Sequence, residues 1–173
     1  MSLVGVEAEP VHFQWMHKHF RDNDIDPDAH RFIMAPIAGT RRKVIFTVGN
    51  PNAWYGQYIA DDAAQASNNE IVEMEAITLA DVLSPFDKVD LIDMDIQGAE
   101  LDVVRSSTDL IDAKVRRIHI GTHSAEIEVG LRSILKPLGW RCVWDFGCNG
   151  EHNTRYGRIE FQDGAQAWIN PHL

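Results

Sequence analysis

Residues 89–100, VDLIDMDIQGAE, set five apolar side chains (Val89, Leu91, Ile92, Met94 and Ile96) among three aspartates and run them into Gly98 and a helix-forming segment. A run this short and apolar, closed by a glycine turn and a helix, is expected to be a buried strand. Its far end carries carboxylates, and in open α/β sheets ligands bind outside the carboxyl ends of the strands. Alternation along a strand places Asp93, Asp95 and Gln97 on one side. Polar groups gathered this way are costly inside a core, so the cluster is expected at an opening.

Composition narrows the class of protein. The chain has 173 residues, 45% of them hydrophobic and 24% charged, which suits one globular domain spanning residues 1–173 with a sizeable core. A formal charge of −10, with the Lys and Arg residues scattered, leaves no basic stripe for a phosphate backbone, and nucleic acid is not expected as a partner. Cys142 and Cys148 are the two cysteines, too few for a disulfide framework or a zinc pattern, so a reducing, cytoplasmic compartment is expected. No apolar run approaches the ~20 residues that span a bilayer, and no membrane association is expected.

Outward from the central strand, elements alternate. LVGVE (residues 3–7) reads as a strand, and Pro10 opens a helix whose Phe13, Met16 and Phe20 form an apolar face. RFIMAPIA (31–38) and KVIFTV (43–48) read as strands, the latter half-buried and antiparallel, followed by a long polar loop over 49–70. A strand at 71–77 and a short helix at 78–83 lead to the central strand, then a helix from Ala99 to about Leu110. RIHIGT (117–122) is a strand, and Ser124 caps a helix with Ile127, Leu131, Ile134, Leu135 and Leu138 on one face, ended by Gly139. Strands at 141–146 and 158–161 follow, and Asp163-Gly164 is expected to turn a last hairpin toward AWINP. This order predicts a three-layer α/β sandwich with a mostly parallel sheet and an antiparallel C-terminal hairpin.

Several residues have the chemistry of a site. Glu7, at the end of LVGVE, can accept hydrogen bonds from a ribose diol or stand as a solvated loop acid; Glu9, nearer the helix start, suits the helix dipole. Asp95 can hold an ammonium, orient a hydroxyl or ligate a cation, or it can cap the following helix together with Gln97. Glu100 shares both readings. His123 can take a proton from a hydroxyl, ligate a metal with Asp95, or simply be a polar residue beside the Ser124 cap. His119 is expected as a packed core histidine, and His17 and His19 as surface residues of the first helix. Trp54, Tyr55, Trp144 and Trp168 can wall a pocket or pin loops.

GVEAEP, the APIAG stretch, TLADVL, VDLIDMDIQGAE and RRIHIGTHS, in this order and spacing, resemble FkbM-type S-adenosylmethionine-dependent methyltransferases. Two positions depart from the commoner pattern, which often has Lys in place of Asp93 and Glu in place of Gln97. The resemblance implies a Rossmann-like methyltransferase fold and an O-methyltransferase acting on a hydroxyl of a small molecule or sugar. It further implies that Glu7 holds the ribose of S-adenosylmethionine, that Ala35, Pro36 and Ile37 flank its adenine, and that Asp95 positions cofactor or acceptor. His123 or Glu100 would handle the proton or a divalent metal, whose involvement is left open. That family's Gly-rich first strand, loop and helix would precede LVGVE, and no GxGxG pattern occurs in this chain. The first strand and helix are therefore expected to be missing, and the apolar surface so left predicts a possible homodimer. The alternative reading is a catalytically inactive Rossmann-like module with an assembly role; a nicotinamide-dependent oxidoreductase is a third, weaker because it demands the same glycine fingerprint.

Overall fold

The computed structural model describes residues 2–49, 56–60 and 70–173, whose contacts fall into two compact units, Met1–Thr78 and Leu79–Leu173. Trp54 and Tyr55 lie outside the described residues.

The first unit opens with β1 (Val4–Val6), which pairs in parallel with β2 (Arg31–Ile33) across α1 (Pro10–Asp22). Glu9 starts the helix: its carboxylate accepts the His12 N–H at 2.6 Å, and Pro10 occupies the first turn, where a missing N–H costs nothing. Phe13 and Phe20 turn inward as the spacing predicts. His17 joins them, its ring 5.0 Å from that of Phe13 and 4.5 Å from that of Phe32, so it is packed where a surface position was expected. Only His19 of that pair is exposed. Gly5 makes the close packing possible, since a Cβ there would stand 2.6 Å from Met16 Sδ.

The rest of this unit is a three-stranded antiparallel sheet, β4 (Ile59–Ala60), β3 (Arg42–Val48) and β5 (Glu70–Ala76), with β3 in the middle. Val44, Phe46 and Val48 alternate into the interior beside Ala8, Ala38 and Ala76, with Ile59 and Met74 closing over them. The segment after β2 is not continuous strand as expected over 31–38. Instead a single parallel bridge joins Ile37 to Ile77, with the Pro36 carbonyl accepting the Ile77 N–H and Ala38 N–H donating to the Ile77 carbonyl.

The second unit begins with α2 (Leu79–Leu83) and holds a four-stranded sheet in the order β6 (Ile92–Met94), β7 (Arg117–Thr122), β11 (Gly164–Ile169), β8 (Arg141–Phe146). β6 and β7 are parallel; β11 runs antiparallel to both of its neighbours. One face of this sheet is buried, with Met94, Ile118, Ile120, Gln166 and Trp168 turned inward. α5 (Ala125–Leu135) packs on β7 and on α3 (Glu100–Ser106), and Gly130 lets it approach, because a Cβ there would lie 2.5 Å from Leu101. Ser124 caps α5 as expected, accepting the Ile127 N–H at 3.2 Å.

Three expectations are corrected. The sheets are not mostly parallel: β11 inserts between β7 and β8, and β3 has antiparallel neighbours on both sides. The Asp163-Gly164 turn makes no hairpin with residues 158–161. Those residues form β10 (Gly157–Phe161), which pairs with β9 (Gly150–Thr154), a strand hidden in what reads as a Gly- and Asn-bearing loop, while Gly164 pairs with Thr122. Finally, the helix expected over 99–110 is two, α3 and α4 (Thr108–Lys114). The Thr108 hydroxyl donates to the Val104 and Arg105 carbonyls at 2.9 and 3.0 Å, drawing off acceptors the helix would use and breaking it at Ser107.

No helix among the described residues is long and apolar enough to cross a membrane.

Candidate active site

The parallel pair β6–β7 ends in a loop and a helix start that bring three of the expected residues together. After Met94 the chain turns through Gln97 and Gly98, both at positive φ (52° and 104°), the conformation glycine adopts at little cost. Glu100, in the first turn of α3 and fully buried, reaches back over this turn. Its Oε1 accepts the Ile96 N–H at 3.0 Å, and Oε2 accepts the Gly98 N–H at 3.0 Å. The helix cap expected of Asp95 and Gln97 is not formed: Ala99 stands at the N-cap with no side-chain cap, and Glu100 closes the turn that precedes α3.

His123, one residue beyond β7, stands between the two acids. Its Nε2 lies 3.3 Å from Asp95 Oδ1 and its Nδ1 3.0 Å from Glu100 Oε1. The Nδ1 contact lacks hydrogen-bond alignment, so it is ionic more than directional. With carboxylates on both edges the ring holds its second proton: the Asp95 carboxylate, then that of Glu100, pushes its pKa up to about 10, against the opposing cost of burial. The same contact with His123, the largest influence on it, holds the Asp95 carboxyl below its ordinary value, helped by Gln97, whose Nε2 donates to Oδ1 at 3.0 Å. Asp95 remains open to solvent, with a side chain 65% exposed, whereas Glu100 is sealed at 0%. The buried acid and the cation form the foundation and the exposed acid the working surface.

This geometry revises the role expected of His123. At neutral pH the ring already carries both protons, so it is a donor and a fixed positive charge and not a ready base. Among the described residues, Asp95, Glu100 and His123 are also close enough to one another to share a metal ion. However, the acids meet opposite ring nitrogens, an arrangement that fits a protonated ring or one metal ligand with the second acid orienting it.

Asp93 belongs elsewhere. It pairs with His119, Oδ1 to Nδ1 at 2.7 Å, and His119 also stands edge-on to Trp144, with ring centroids 6.4 Å apart. His119 is thus half-exposed, not a core residue, because it alternates with the inward Ile118 and Ile120. Leu91, Asp93, His119, Val143, Trp144 and Ala167 line an apolar groove of about 350 Å³ on the open face of this sheet. Trp168 points the other way, buried at 1%, with its N–H on Gln166 Oε1 at 3.1 Å.

In the first unit, Glu7 follows β1 and is half-buried. Its Oε1 accepts the Glu9 N–H at 2.8 Å, which fixes the carboxylate and leaves the second oxygen for another donor. Ala35 and Pro36 are buried and Ile37 half-buried, held by the bridge to Ile77. Glu7 is thus an acid at a strand end, and Ala35–Ile37 an apolar segment tied by backbone to Ile77. Cys142 and Cys148 are both free thiols.

Sequence reasoning missed Glu128, 6% exposed in the first turn of α5. Its Oε1 accepts the Thr122 hydroxyl at 3.3 Å and the Cys148 N–H at 2.7 Å, tying the end of β7 to the segment before β9. The signal was its place four residues after the Ser124 cap, on the face that the apolar residues of α5 also use.

Residues 4–136 match the model of the methyltransferase FkbM domain. A curated protein of Jannaschia sp. (strain CCS1), named "Putative methyltransferase", is 32% identical over 154 residues, which cover 84% of this chain and 54% of that protein. The chain thus spans about half the length of that relative. No solved structure matches it.

Proposed function

The chain belongs to the FkbM methyltransferase domain family, and on that premise we propose that it serves S-adenosylmethionine-dependent methyl transfer to a hydroxyl of a small molecule or sugar. The observation that carries the proposal is the convergence of Asp95, His123 and Glu100 where β6 and β7 end, with only Asp95 opened to solvent. Bound S-adenosylmethionine supplies a methyl group on a positively charged sulfur, an electrophile that needs alignment more than activation. Asp95 accepts the hydrogen bond of the incoming hydroxyl and points its oxygen. As the oxygen–carbon bond formed and the methyl–sulfur bond broke, leaving S-adenosylhomocysteine, the hydroxyl proton would pass through the Asp95 carboxylate to solvent.

His123 holds Asp95 in place as a fixed cation, and Glu100 holds His123. In the first unit, the half-buried Glu7 carboxylate, with one oxygen already fixed, suits one hydroxyl of a ribose, and the apolar Ala35, Pro36 and Ile37 suit the flat face of adenine.

Calorimetric titration with S-adenosylhomocysteine tests the proposal. Binding at micromolar to high-micromolar strength is expected, weakened about tenfold by Glu7→Gln, a loss of roughly 1.4 kcal/mol. If neither S-adenosylhomocysteine nor S-adenosylmethionine binds, methyl transfer by this chain is excluded and the inactive-module reading takes its place.

A further inference from the structure

The open face of the second unit's sheet is uneven in a way that places a ligand. Directly paired residues on neighbouring strands project from the same face. Gly121 of β7 pairs with Ala165 of β11, and Ala165 pairs with Phe146 of β8. On the other side Asp95 completes the row: it continues the register in which Met94 pairs with Ile120, and a Cβ on Gly121 would stand 3.4 Å from Asp95 Cγ. The row therefore reads acid, glycine, alanine, phenylalanine. With strands ~4.8 Å apart, the backbones at Asp95 and Phe146 are roughly 14 Å from each other, and only a hydrogen and a methyl group rise from the floor between them.

The far wall is built by the hairpin that sequence reading missed. Phe161 stacks on Phe146 with centroids 4.9 Å apart and planes 7° apart, and His152 meets both edge-on at 5.4 and 5.5 Å. Ile159, paired with His152, extends this face and is 39% exposed. The opposite face of the hairpin is charged, carrying Glu151, Glu160 and Arg158, with Arg158 paired to Glu151. A two-stranded hairpin is marginal alone in water. Here its root is fixed by Glu128 to the end of β7, one residue before His123. The apolar side of the hairpin is thus anchored beside the candidate site.

We propose that this trough, floored by Gly121 and Ala165 between Asp95 and the Phe146–His152–Phe161 wall, seats the methyl acceptor: a hydroxylated ring compound, its apolar face on the aromatic wall and a hydroxyl at Asp95. The proposal rests on the methyl-transfer reading only for what happens to that hydroxyl; the trough binds such a ring whether or not transfer follows. The two small floor residues select for a ring lying flat across the strands, and the aromatic wall favours one with an apolar face.

The histidine ring signals report occupancy by nuclear magnetic resonance. The chain is titrated separately with phenol and with methyl β-D-glucopyranoside, which distinguish an aromatic from a sugar acceptor. At least one probe is expected to shift the His152 and His123 signals together, with a common saturation curve. Ala165→Val, which fills the floor with a residue that strands favour, is expected to weaken that curve at least tenfold at unchanged melting temperature. Gly121→Ala, whose added methyl meets only ordinary contacts, provides a second blocked floor should Ala165→Val fail to fold. Arg158→Gln, on the charged face, is expected to leave the curve as it was. Shifts of neither histidine, of His123 without His152, or shifts that persist when the floor is blocked, overturn the trough. Shifts that obey these expectations in a chain that binds no S-adenosylhomocysteine would retain the trough and remove methyl transfer.

Discussion

At the scale of the residue, the site depends on one charge held between two others. Because the folded-state pKa of His123 is about 10, above the 6.5 of the free side chain, its contribution to stability is fully present below pH 6.5 and is lost as pH rises through about 10. Urea unfolding at pH 6, 8 and 10.5 should show a loss of roughly 2 kcal/mol across that range, reduced by the exposure of Asp95, that is absent in His123→Gln. A profile unchanged by the substitution would mean that the ring is not held as a cation. Glu100 is expected to be the more costly residue to remove. Glu100→Ala strips partners from two backbone N–H groups and a buried cation at once, and should destabilise by about 3–5 kcal/mol in thermal or urea unfolding, with Glu100→Gln losing less because an amide oxygen still accepts.

Elements follow from local rules where those rules act alone and depart where a side chain competes with the backbone. β1, α1, β3, β5, β7, α5 and β8 lie close to where periodicity and caps put them, because their apolar spacing and the Ser124 cap all favour the same structure. α3 and α4 are separated by a hydroxyl at Thr108, a competition that helical periodicity does not register. β9 escaped notice because GEHNT holds no apolar side chain to alternate, and the ring of His152 finds its place only once Phe146 and Phe161 stand beside it. The approach of α3 to α5 makes a further prediction. Gly130→Val should destabilise by about 1–3 kcal/mol by driving a side chain into Leu101, and Leu101→Ala in the same chain should recover much of that loss; a double-mutant cycle with no coupling would contradict the packing.

For the molecule as a whole, stability should be graded by how each strand is covered. β7 and β11 are flanked by strands on both sides and carry the buried Ile118, Ile120, Gln166 and Trp168, so their amides should exchange most slowly with solvent. β9 and β10 form a two-stranded ribbon with mostly exposed residues, and their amides should exchange at least a hundredfold faster in native-state hydrogen exchange. Equal protection in the two places would show that the hairpin is braced far more firmly than Glu128 and the aromatic stack provide. Binding of a ring in the trough should slow exchange in β9 and β10 and leave β3 and β5 unaffected.

VDLIDMDIQGAE identified a strand, a turn and a helix start from local chemistry alone, since apolar spacing, a turn glycine and carboxylates at a strand end are each written in neighbouring residues; the family came from its resemblance, with four other stretches, to FkbM-type sequences. The same holds for Asp95, Glu100 and His123 as candidates. Their division of labour could not be read there: that Glu100 is sealed and caps the turn, that His123 is charged, and that Asp95 alone faces solvent depend on distances between residues 23 or more positions apart in the chain for the pairs with His123. Strand direction was likewise beyond local reading, because whether β11 pairs with β10 or slips between β7 and β8 is decided by which partners bury Trp168 and Gln166. Long-range packing made that choice, and in making it laid Gly121 and Ala165 side by side as the floor between an acid and an aromatic wall.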